Sequence, residues 1–147
     1  MDKRIRTLLI LNILIPVISG ALYYYLFSPD IDFIIRIDAW FGINGVRLFF
    51  DHDGRLFRFV RNYLPDMLWA YSLFFSVYVI VGNKTAKLWK ILLVTGVFSV
   101  LMEVMQLTPY VHGTFDFFDI VVELFAGLIA VFVIKNFFIW EERDEKE

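Results

Sequence analysis

Between Glu103 and Glu123 the chain reads EVMQLTPYVHGTFDFFDIVVE, and five side chains there carry a carboxylate or amide oxygen: Glu103, Gln106, Asp116, Asp119 and Glu123. They stand at the facing ends of two strongly apolar stretches, with only a short loop between them. Carboxylates at the mouths of membrane-type helices are costly and need partners. Two acids forced together cannot both stay charged cheaply, so three remedies are open. A proton is held, an arginine closes in, or a divalent cation such as Mg²⁺ or Mn²⁺ is bound. Asp66, at the outer end of another apolar stretch, is a sixth candidate for the same pocket. Arg55, Arg58 and Arg61 are the candidate charge partners, supplied by a long polar segment just before it.

Spacing gives these residues a common direction. At 100° per residue, Asp116, Asp119, Glu123, Ala126, Gly127, Ala130 and Ile134 fall within an arc of about 100°, and Phe118, Phe125 and Phe132 lie opposite. One face is therefore small and acidic and the other bulky. Gly96, Ser99, Glu103 and Gln106 make a matching stripe on the preceding apolar stretch. Small residues let helix backbones approach closely in lipid, so the two stripes are expected to pack together.

The elements that position this pocket follow from composition and run length. The 147 residues are 59% hydrophobic, with 17 Phe, seven Tyr and four Trp. That exceeds the usual half-apolar soluble domain and points to lipid. The fold class expected is an all-α, integral membrane four-helix bundle, one domain over residues 1–147. Its spans are predicted at about 8–27, 64–81, 88–107 and 117–140, each near the roughly 20 residues a bilayer requires. Pro65 and Asp66 suit the first turn of the second span, where a missing N–H is harmless and a negative charge meets the helix dipole. Asn12, Pro16, Ser19 and Tyr23 share one face of the first span and are expected to turn inward. A basic start and Ser19-Gly20-Ala21 also match a signal peptide, but further spans favour a retained anchor.

Residues 28–63 mix acids, arginines and aromatics and are too charged to span. An irregular segment on the membrane surface is expected there, aromatics down and guanidinium groups towards phosphates. Asp53-Gly54 is a hairpin-turn signal, although Arg55–Asn62 reads equally as the start of a helix. Four spans place both termini on one side. That side holds nine of the 14 Lys and Arg, which orients both termini towards the cytoplasm.

Other signals are weak. Asp51-His52-Asp53-Gly54 resembles a fragment of a calcium loop but lacks the later ligands, and a surface turn explains it. His112 precedes two carboxylates across the helix-breaking Gly113-Thr114 and reads as a loop histidine. There is no cysteine, so disulfides and thiolate chemistry are excluded. No serine has an evident histidine base, and no phosphate-binding glycine loop is present. A net charge of −2 favours no nucleic-acid partner.

Glu103-x-x-Gln106, a short loop, then Phe115-Asp116-x-x-Asp119-x-x-x-Glu123-x-x-x-Gly127 resembles the signature of the VanZ-like membrane proteins. The match covers about a third of the chain well and the rest in architecture only. The family pattern usually has Asn where Glu123 stands, and often a basic residue near Gly113 or Thr114, so this site is the more acidic. The resemblance implies a multi-pass protein of the bacterial plasma (inner) membrane linked to glycopeptide antibiotic resistance of the teicoplanin type. Its site would face the outer leaflet, and the partners it implies are lipid-linked cell-wall precursors or the glycopeptide itself. Three functions stay open: an acidic pocket binding a polar or cationic group, a metal-dependent enzyme acting on lipid-linked phosphate, and a small proton- or cation-coupled carrier.

Overall fold

The computed structural model describes residues 3–27, 32–42, 54–81, 87–109 and 115–138. Five helices account for nearly all of them: α1 (Lys3–Phe27), α2 (Asp32–Phe41), α3 (Arg55–Val81), α4 (Leu88–Gln106) and α5 (Phe117–Val133). A π-helical turn, Ile134–Phe138, extends α5. No strand occurs among the described residues. Helices α1, α3, α4 and extended α5 are long and apolar enough to cross a membrane, and they form the all-α four-helix bundle. α2, ten residues and about 15 Å long, is too short to do so.

α3 is the hub, packing against α1, α4 and α5, while α5 also packs on α4. The apolar core gathers at one end. It joins Ile5 and Leu9 of α1, Phe74, Phe75 and Tyr78 of α3, Leu88 and Ile91 of α4, and Ala130, Val131, Ile134 and Phe138 from α5 and its π turn. The start of α1 and the last turns of α5 therefore share that end. The acidic residues are left to the other.

The small stripe on α5 packs as its spacing predicts. Ala126, Gly127 and Ala130 are buried, whereas Phe118, Phe125 and Phe132 are 60%, 55% and 64% exposed. On α4, Thr95, Ser99 and Glu103 are buried on the facing side. A Cβ built on Gly127 would stand 2.6 Å from Leu92 Cδ1, and one on Gly96 2.8 Å from Leu124 Cδ2. The two helices touch where side chains are missing.

Two sequence expectations need correction. The segment 28–63 is not irregular throughout: it contains α2, and α3 begins at Arg55 rather than near residue 64. The Gly54 carbonyl accepts the first bond of α3, from Arg58 N at 3.1 Å. Pro65 and Asp66 thus lie in the interior of a 27-residue helix, not in its first turn. The amphipathic run Arg55–Leu64 extends the helix outward, and the proline removes one backbone bond without ending it, as membrane helices tolerate. At α2, Gly42 with φ +63° closes the helix in the left-handed conformation that suits glycine. Tyr25 OH donates to Asp38 Oδ1 at 2.6 Å and ties α2 to the last turn of α1.

On α1 the inward face is nearly the expected one. Asn12 Oδ1 accepts from Tyr71 OH of α3 at 2.7 Å, and Pro16 and Tyr23 are partly buried. Ser19 is exposed and its neighbour Gly20 is buried instead. Gly20 continues the 5, 9, 12–13, 16 spacing, and it lets α1 approach Leu68 and the Pro65 carbonyl. Residues 51–53, 112–114 and 139–147, and with them the Asp51–Asp53 turn, His112 and the charged tail, lie outside the described residues.

Candidate acidic site

Glu103 is the anchor. It is 4% exposed, in the last turn of α4, and both of its oxygens are engaged. Oε1 accepts from Gln106 Nε2 at 2.7 Å, an i, i+3 contact along the helix. Oε2 accepts from the backbone N–H of Asp116 at 3.1 Å, across the connection to α5. One carboxylate thereby holds the end of α4 against the start of α5.

Asp116 does a related job. It stands at the N-cap of α5 with extended backbone, and its Oδ1 accepts from Phe118 N at 2.8 Å. This satisfies one of the free N–H groups of the first turn and places a negative charge at the positive end of the dipole. Its Oδ2 accepts from Tyr63 OH of α3 at 3.1 Å. Tyr63, Asp116 and Glu103 thus lace three helices together at the acidic end. The role of Tyr63 escapes a search for charged and metal-ligating residues. Its signal is position, three residues before Asp66 on the same side of α3.

Behind this lacing lies a cavity of about 290 Å³ lined by Asp66, Trp69, Ala70, Leu73, Phe98, Ser99, Met102, Glu103, Gln106 and Glu123. Four of the six predicted pocket residues are brought together there: Asp66, Glu103, Gln106 and Glu123. Asp116 caps α5 instead of lining the cavity. Asp119 is half-buried beside it, within electrostatic reach of Asp66, Glu103 and Asp116. Glu123 lies beside Ser99 of α4, which lines the same cavity, and its Oε2 is buried with no partner. A buried acceptor left unmade carries a desolvation penalty of about 1–3 kcal/mol or more. A second cavity, about 340 Å³ between α1 and α3, shares Asp66 and Trp69 and is otherwise lined by Pro16, Val17, Gly20, Ala21, Tyr24 and Pro65.

Arg55, Arg58 and Arg61 are all exposed, and among the described residues no ion pair joins them or any other cation to these carboxylates. The early start of α3 is the reason. On a continuous helix Arg58 sits about 12 Å along the axis from Asp66, and Arg61 points about 140° away from it. Arginines in a loop could fold back over the acids; arginines on the same rigid helix cannot. Among the described residues, moreover, no three His or carboxylate side chains come together as a group able to hold a metal ion. The acids are spread over three helices around a space rather than converged on a point.

The fold and site define a class: a multi-pass helical bundle whose polar residues enclose a small acidic cavity at one end. No protein-family model, curated protein or solved structure matches the chain.

Proposed function

We propose that the acidic cavity binds a positively charged or strongly polar group presented at the membrane surface. The observation that carries this reading is the cavity lined by Asp66, Glu103, Gln106 and Glu123, with Glu123 Oε2 buried and unpartnered and no described cation in contact with it. A ligand ammonium would supply both the missing hydrogen-bond donor and the missing charge. The acids surround a space, which suits a molecular group better than a metal ion bound at one point.

The motif Glu103-x-x-Gln106 with Asp116-x-x-Asp119-x-x-x-Glu123 supports placing the protein with the VanZ-like membrane proteins of the bacterial inner membrane. On that reading both termini lie in the cytoplasm and the cavity opens towards the outer leaflet. Its role is tolerance of glycopeptides of the teicoplanin type or maintenance of the envelope, through a lipid-linked wall precursor or the lipidated antibiotic. The test is susceptibility of a bacterial host expressing the protein. Wild type is expected to raise the teicoplanin concentration needed to stop growth, and Glu123→Ala and Asp119→Ala to abolish that rise while the protein stays in the membrane at normal level. Full tolerance in both folded variants would remove the cavity from the function.

A further inference from the structure

Among the described residues, the end of the bundle opposite the acidic cavity is basic. Lys3, Arg4, Arg6, Lys87, Lys90 and Lys135 all lie there, and every acid among the described residues lies in α2 or at the other end. On the outer face of α4 and α5, a groove of about 630 Å³ runs up from this basic end. Trp89, Leu93, Gly96, Val97 and Val100 of α4 line it, with Leu124 of α5. Gly96 and Leu124 form its floor, where α4 and α5 pack closely: a Cβ on Gly96 would meet Leu124 Cδ2 at 2.8 Å. At its basic end Lys135 Nζ sits 5.5 Å from the centre of the Trp89 ring.

We infer that this groove is a binding site for an anionic phospholipid, its phosphate at Lys135 and one acyl chain lying along Trp89, Gly96 and Leu124. Length supports a single leaflet's chain. From Trp89 to the groove's far end at Leu101 is about 18 Å of helix, against about 15 Å for half of a bilayer's hydrocarbon core. Charge selects the headgroup. An exposed lysine beside an indole ring, in a field of basic residues with no described acid, attracts an acidic lipid and gains nothing from a zwitterionic one. A second copy packed side by side with parallel orientation would set basic end against basic end. This site is independent of the acidic cavity.

The test uses full-length protein with Trp89 as its only tryptophan (Trp40, Trp69 and Trp140 replaced by Phe) in phosphatidylcholine vesicles. Lipid with brominated acyl chains is added as either phosphatidylglycerol or phosphatidylcholine at equal mole fraction, and Trp89 fluorescence is followed. Quenching by the brominated phosphatidylglycerol is expected at about fivefold lower mole fraction, one lysine's worth of attraction to an acidic lipid. The preference is expected to vanish in Lys135→Ala, a change at an exposed side chain, and to shrink in 0.5 M salt. Equal quenching by the two lipids, or a preference unchanged in Lys135→Ala, would overturn the proposal. Weak quenching by both would place a second copy over the groove and overturn it equally.

Discussion

Glu103→Ala is expected to lower the stability of the purified protein by about 2–4 kcal/mol, the largest loss among the acidic residues. The carboxylate is 4% exposed and accepts from Gln106 Nε2 and from Asp116 N. Hydrogen bonds to a charged group contribute about 1.5–3 kcal/mol each, and removing the acceptor strands two donors away from water. Glu103→Gln keeps one acceptor oxygen but turns an amide NH₂ towards one of the two donors, so it should recover roughly half of the loss. Glu123→Ala removes a group already missing a partner at Oε2 and should cost clearly less. Thermal unfolding in one detergent ranks the three. If Glu123→Ala proved the more damaging, Glu103 would not be the anchor of this end.

Gly127→Leu is the second large effect expected, about 2–3 kcal/mol or more. The first added carbon would stand 2.6 Å from Leu92 Cδ1 and 3.9 Å from Phe74 Cδ2, and three further carbons have no room between α3, α4 and α5. Overpacking of this kind typically costs about 1–3 kcal/mol, and in lipid no hydrophobic drive holds separated helices together. Gly127→Ala separates the causes. Its single methyl meets the far end of a flexible leucine, which can rotate, and alanine is the better helix former by about 0.8–1.0 kcal/mol. A near-neutral Ala with a damaging Leu is therefore expected on thermal unfolding. A neutral Leu would mean that α4 and α5 do not touch at Gly127.

Much of this was legible in the sequence because lipid simplifies the code. Long apolar runs become helices, and small residues at helical spacing mark where helices meet; the stripes through Gly96–Glu103 and Asp119–Ile134 needed nothing more. The start of α3 was harder to read. Arg55–Leu64 is polar enough to resemble a surface loop, and Pro65 resembles a first-turn proline, yet a proline inside a packed helix leaves the same sequence mark. The placement of the arginines follows from this, since a loop can return to Asp66 and a straight helix cannot. The split among the acids was also hidden. Glu103, Asp116 and Glu123 are chemically alike in sequence, but one is a doubly bonded anchor, one a helix cap, and one lines a cavity while keeping an oxygen buried without a partner. Only the relative placement of three helices separates them.

The cavity's charge preference can be read directly from Trp69, which lines both spaces beside Asp66 and is 64% exposed. A variant keeping Trp69 as its only tryptophan would be titrated with two small nitroxide quenchers of the same ring, cationic 4-amino-TEMPO and neutral 4-hydroxy-TEMPO. The same titrations would be run with Asp66→Asn and Glu123→Gln combined. A cation-binding cavity predicts that the cationic quencher loses several-fold efficiency in the double variant while the neutral one is unchanged. Equal quenching before and after the substitutions would show that the carboxylates attract no cation, and the proposed function would fall with that result.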